Sequence, residues 1–353
     1  MKKFLAILLC AVMVLAVVAC NNNGGTETPA PTPATEAEYK LGMGTVVGMD
    51  SSKTGLAQVD ATVATVVLDA EGKIVACRID VAQNKFDMTK ENFEALATKT
   101  FKTKHELGDD YNMAKYGTPN VEGGTVKEWY VQTKIFEEYV VGMTAAQVAA
   151  IELKEVNNHM IAVDDDLLSA GCTMQITEFM AAIVKACNDE QGVTFKTAET
   201  FTLGVAAKTG AADSDASKGL VAMYSDLACA VVANGKVIAT LNDAIQPKIT
   251  VNEANEIVKT EFKGTKRELK EGYNMAAFGQ PNVEGGTVKE WYIQSAAFSA
   301  HVVGMTAAEI LGMETKLVNN HYISVDETLL AAGCTMQITG ICAVVAQSAT
   351  NAR

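Results

Sequence analysis

The second half of this chain repeats the first. Residues Thr103 to Thr177 align without a gap on Thr265 to Thr339. From Tyr111 and Tyr273 onward, roughly two-thirds of the positions are identical, the mark of an internal duplication with a domain-sized unit. Identity is concentrated in blocks. Pro119 to Tyr130 and Pro281 to Tyr292 both read PNVEGGTVKEWY; Ala170 to Thr177 and Ala332 to Thr339 both read AGCTMQIT. A third matched patch is Val156-Asn157-Asn158-His159 and Val318-Asn319-Asn320-His321.

The N-terminus reads as an export signal. Lys2 and Lys3 precede an apolar run from Phe4 to Val18, too short and wrongly flanked for a spanning helix. Val17-Val18-Ala19-Cys20 resembles the lipobox of bacterial lipoproteins, which implies cleavage after residue 19, acylation of Cys20 and anchoring on the extracytoplasmic face of the membrane. Residues 20–38, rich in Asn, Gly, Thr, Pro and Ala, are expected to form a tether. The remainder divides into two tandem homologous domains at 39–190 and 198–350.

Loss of Lys2 and Lys3 takes the formal charge from -13 to -15, which excludes nucleic acid as a partner held by charge. Beyond Cys10 and Cys20, six cysteines remain. Only Cys172 and Cys334 match between copies and no metal spacing occurs, so free buried thiols are expected rather than a disulfide framework.

Each copy predicts an α+β fold, an antiparallel sheet packed with helices. Ala61 to Leu68, the turn Asp69 to Lys73, and the alternation from Val75 to Val81 predict a hairpin with one buried face. In the second copy Asn234-Gly235 joins Cys229–Val232 to Val237–Leu241. Thr125 is expected to cap a helix carrying Val126, Trp129, Phe136 and Val140 and ended by Gly142. Thr144 with Gln147, and Thr306 with Glu309, fit capping boxes. A last helix leaves AGCTMQIT with Phe179, Ile183, Val184 and Cys187 on one stripe.

Two segments are candidate sites. Gly171 and Thr173, with Gly333 and Thr335, are read as opening a helix whose free N–H groups could receive a phosphate; the alternative is a turn and a cap with no ligand. Gly124 and Thr125, with Gly286 and Thr287, form a second glycine loop. Beside it Trp129 and Tyr130, or Trp291 and Tyr292, could stack on a ligand ring or simply fill the core, Tyr130 being the more exposed of its pair. His159 and His321 fit a polar turn before a strand. No nucleophile and base pair off, so binding or electron transfer is expected rather than catalysis.

The turn Asp69-Ala70-Glu71-Gly72-Lys73-Ile74 and the segment from Asp166 to Gln175 resemble those of the FMN-binding domain family, found in flavin subunits of sodium-pumping NADH:quinone reductases and in flavinylated lipoproteins of extracellular electron transfer. That family carries S-G-A-T-x-T-S. Aligned on Gly171 and Thr173, Ala170 takes its Ser, Cys172 its Ala, and Gln175 the threonine that is esterified to FMN; Gln337 does so in the second copy. The resemblance implies FMN, or a related phosphorylated aromatic ligand, held without a covalent bond by Gly171, Cys172, Thr173, Met174 and Gln175, and by Gly333, Cys334, Thr335, Met336 and Gln337. It also implies a membrane reductase or an extracellular electron acceptor as partner. The alternative is a non-enzymatic surface module for a small molecule, peptide or envelope component, its flavin site lost with the acceptor hydroxyl.

Overall fold

Runs of Val and Thr open each copy as long strands, since β-branched side chains pack well on a pleated surface. The computed structural model describes residues 35–353; the signal segment, Cys20 and the tether up to residue 34 lie outside the described residues. The first copy runs β1 (Ala37–Gly48), β2 (Leu56–Leu68), β3 (Ile74–Asp87), the short helices α1 (Phe93–Leu96), α2 (Lys104–Leu107) and α3 (Met113–Tyr116), then α4 (Trp129–Tyr139) and α5 (Ala145–Ala149). It closes with β4 (Leu153–Val156), β5 (His159–Ala162), α6 (Asp165–Ala170) and α7 (Thr177–Cys187). After β6 (Val193–Thr197) the second copy begins with β7 (Thr202–Gly210), β8 (Leu220–Ala222), β9 (Tyr224–Ala233), β10 (Lys236–Ile245), β11 (Lys248–Val251) and β12 (Ile257–Glu261). It then repeats the helical half as α8 (Lys266–Leu269), α9 (Met275–Phe278), α10 (Trp291–His301), α11 (Ala307–Leu311), β13 (Thr315–Val318), β14 (His321–Ser324), α12 (Glu327–Ala331) and α13 (Thr339–Thr350).

The first sheet has the order β3-β2-β1-β6 and the second β10-β9-β7, all antiparallel. Ala37 and Glu38, placed in the tether by composition, are already strand, because they pair with Thr197 and Lys196 of β6. Helices cover one face of each sheet. Ile79 and Val81 pack with Trp129, Phe136 and Phe179, while Ala228 and Ala244 pack with Trp291, Phe298 and Ile341.

The expectation of one buried face for the β2–β3 hairpin fails, because the two sheets pack against each other. Leu41, Val63 and Val67 form one core with Leu203, Leu227 and Val231. At about 1.5–3 kcal/mol for each large apolar side chain removed from water, this shared layer joins the copies, and Glu36–Arg353 is one compact unit. Strand pairing puts Thr65 of β2 and Cys229 of β9 at corresponding positions, and Thr65 lies near enough to Cys229 across the layer to act against the burial that raises its thiol pKa. Other contacts between the copies are reciprocal. Lys185 Nζ lies 2.9 Å from Glu268 Oε1, and Gln347 Nε2, its counterpart, lies 2.6 Å from Glu106 Oε1.

The helices differ from expectation at one end. The capping boxes at Thr144 and Thr306 form, and the Asn157-Asn158 and Asn319-Asn320 pairs take left-handed conformations as two-residue hairpin turns. α4 starts at Trp129 rather than after Thr125. Its N-cap is Glu128, and the four residues before the helix stay irregular because the Glu128 carboxylate accepts the Met113 and Ala114 N–H groups at 2.9 and 3.1 Å. The six cysteines from Cys77 onward are buried free thiols, and burial raises the pKa of each. No helix among the described residues is long and apolar enough to cross a membrane.

Candidate functional site

The three matched patches meet in space. Asn120 Nδ2 donates to the Thr173 carbonyl at 2.9 Å, and Asn157 Nδ2 donates to Asn120 Oδ1 at 3.1 Å. Gln132, from the first turn of α4, donates to the Lys127 carbonyl at 2.7 Å and accepts the Thr173 N–H at 2.9 Å. Asn282, Asn319 and Gln294 repeat every one of these contacts. The identical blocks are thus a polar scaffold in which each amide is matched to a loop backbone group, and such groups are costly to bury unpaired.

The expected phosphate cradle is absent. AGCTMQIT does not open a helix at Thr173: Gly171 ends α6 in the left-handed region with φ 102°, and α7 begins only at Thr177. The Cys172 N–H donates to the Leu167 carbonyl and the Thr173 N–H to Gln132, so neither is free. Lys127 lies over Gly171 and donates to the Ala170 carbonyl at 2.7 Å. Gly333, Cys334 and Thr335 repeat this, with Gly333 at φ 93° beneath Lys289. A helix C-terminus offers carbonyls, the wrong polarity for an anion. At the position aligned with the family's acceptor threonine, Gln175 Nε2 lies 3.3 Å from both Glu178 carboxylate oxygens.

The second glycine loop is also displaced. Gly124 and Thr125 are exposed in a turn closed by the Gly124 N–H on the Val121 carbonyl. Gly286 and Thr287 follow the same course, and none of the four lines the pocket. Tyr130 and Tyr292 point elsewhere, their hydroxyls donating to Asp109 at 3.1 Å and Glu271 at 2.7 Å. Trp129 is buried at 2% exposure, and Trp291 at 3%.

What the scaffold does frame in the first copy is a cavity of about 730 Å³, lined by Thr173, Met174, Gln175, Trp129, Asn120, His159 and Phe179. The sequence reading missed its other walls, Asp60, Lys104, Tyr111 and Met113. A signal for three of them was present, since Thr103-Lys104 and Tyr111-Asn112-Met113 recur as Thr265-Lys266 and Tyr273-Asn274-Met275. Lys104 Nζ sits over the rings of Tyr111 (4.8 Å) and Trp129 (5.4 Å), a cation–π arrangement.

The equivalent cavity in the second copy measures about 230 Å³. Strand register identifies the cause: Tyr224 stands where the first copy has Asp60, and Asp226 where it has Thr62. The Tyr224 ring fills the space. Lys266 Nζ lies over Tyr224, Tyr273 and Trp291 at 4.9, 4.7 and 5.3 Å, and burial lowers its pKa to about 8.

Behind each lysine stands a buried aspartate that the sequence reading also missed. Asp80 Oδ1 accepts the Val81 and His105 N–H groups, and Asp243 Oδ1 accepts those of Ala244 and Arg267. Burial lifts both to about 6, against these hydrogen bonds and, for Asp243, the Arg267 charge. Each folded-state value lies above that of the unfolded chain, so folding takes up protons between about pH 4 and 6. The stabilisation is full below that window and lost as pH rises through it. Relative to wild type, the Asp80→Asn/Asp243→Asn protein should gain about 2 kcal/mol per site between pH 4 and 7, read from urea unfolding at both pH values; parallel profiles would refute this.

Among the described residues no His, Cys, Asp and Glu group is arranged to hold a metal ion. No protein-family model matches the chain, and neither a curated protein nor a solved structure matches it.

Proposed function

We propose that this protein binds a ring-bearing small molecule in the first-copy pocket, presented outside the cell from a lipid anchor at Cys20. The observation that carries this is the convergence of the matched segments on a cavity of about 730 Å³ with Tyr111, Trp129 and Phe179 in its wall. Ligand sites commonly enclose roughly 300–1,000 Å³ with an apolar lining and a few placed polar groups. The second copy, filled by Tyr224, then serves the fold.

FMN, put forward by the family resemblance, is the first ligand to test, as a non-covalent guest; an electron-carrying role between membrane reductases and outside acceptors would follow from it. Gln175 and Gln337 leave no hydroxyl for an ester there, so Lys104 would face the phosphate and the aromatic wall the ring. The bound flavin would supply the redox chemistry. A second reading, a surface module for another small molecule, is favoured by the Thr173 N–H being taken by Gln132. Titrating FMN while following flavin and tryptophan fluorescence separates the two. The flavin reading expects saturable quenching at one site per chain, lost in Asp60→Tyr, which copies the closed site. Protein from flavin-supplied cells that carries no flavin and shows no quenching removes FMN and leaves the second reading.

A further inference from the structure

We propose that the first-copy site selects a ligand carrying an ammonium group on an apolar, ring-bearing body. This rests on the reading of that pocket as a ligand site. The comparison that carries it lies within the molecule. Between the copies Asp60 exchanges with Tyr224, Thr62 with Asp226, and Glu178 of α7 with Gly340 of α13. In the second copy the Asp226 carboxylate is packed against Gly340, and the Lys266 ammonium rests on three rings. This corner of the fold therefore already holds a desolvated ammonium with aromatic faces around it and a carboxylate nearby.

In the first copy the carboxylates line the open cavity instead. Asp50, Asp60 and Glu178 share its lining with one lysine, Lys104, whose ammonium is turned onto Tyr111 and Trp129. Asp60 Oδ2 accepts from Gln58 Nε2 at 2.6 Å, whereas Oδ1 is buried and has no hydrogen-bond partner among the described residues. A carboxylate oxygen withdrawn from water without a donor is costly, and a ligand ammonium held beside Asp60 in the cavity would offset that cost by its opposite charge. Met113, Met174 and Phe179 offer thioether and ring surface to the rest of such a molecule. An anionic group would meet three carboxylates for one lysine, in a chain whose net charge already draws cations toward its clefts.

Isothermal titration calorimetry of the full chain with 2-phenylethylamine, 3-phenylpropionate and FMN tests this. The amine should bind and the carboxylate should not, and Asp60→Asn should weaken the amine about tenfold. Glu178→Gln, on an exposed helix position that leaves folding intact, should weaken it about threefold. Equal binding of amine and carboxylate, or amine affinity unchanged in both variants, overturns the inference. FMN binding without amine binding also overturns it while keeping the ring-ligand reading. Amine binding without FMN supports it and removes the flavin, and silence from all three probes overturns both.

Discussion

Alanine in place of Gly204 should destabilise the protein by about 3 kcal/mol, at the upper end of what overpacking costs. Gly204 lies on β7 where α13 crosses it, and an added methyl would overlap the Ser348 carbonyl oxygen and crowd Ala352. The obstacle is helix backbone, which cannot rotate aside as a side chain can. Gly42 on β1 faces the Ala186 carbonyl of α7 in the same way, and Gly42→Ala should cost a similar amount. Gly48, on the same strand as Gly42, has open space around its Cβ position. Gly48→Ala should therefore be near neutral or slightly stabilising, since alanine restricts the unfolded chain. Urea unfolding of the three variants checks the set, and a loss below about 1 kcal/mol in Gly204→Ala would mean that α13 draws back without penalty.

Arg267→Ala should cost about 3 kcal/mol, since breaking a buried ion pair strands the remaining charge. Arg267, side chain 7% exposed, holds Asp189, side chain 9% exposed, at 3.0 Å, and donates to the Gln191 carbonyl at 2.9 Å. Asp189 in turn accepts the Met43 N–H at 3.1 Å, so the pair links the second copy to the end of α7 and to β1 of the first. Adding Asp189→Asn should recover part of the loss, because the stranded carboxylate is then neutral. Exposed pairs such as Lys134 with Glu138 should give changes within about 0.5 kcal/mol. If Arg267→Ala proves equally mild, water reaches Asp189 and the pair is not a closed clamp.

Local signals were legible in the sequence because they act over a few residues. Thr144 and Thr306 form capping boxes, and Asn234-Gly235 joins β9 to β10. The α+β class followed from strands first and helices after, and the two blocks worth searching were marked by their identity. The fate of each block was not legible. Thr173 looks free to open a helix until Gln132, 41 residues earlier, takes its N–H. Asp60 and Lys104 reach the same cavity only because β2 and α2 converge there, a tertiary fact with no local pattern. The second buried face of the β2–β3 hairpin was hidden for a related reason: what covers it is the other copy.

Thr65 and Cys229 have a bearing on how the chain came to be. A residue that touches its own counterpart is what a two-fold axis between identical subunits produces, since such an interface presents the same patch from both sides. Such a contact is what the fusion of two partners of a homodimer would leave, with the segment through β6 as the covalent tie. Once joined, the subunits no longer had to stay alike, and selection could act on one pocket at a time: Asp60 kept one open, while Tyr224 closed the other and made it part of the wall.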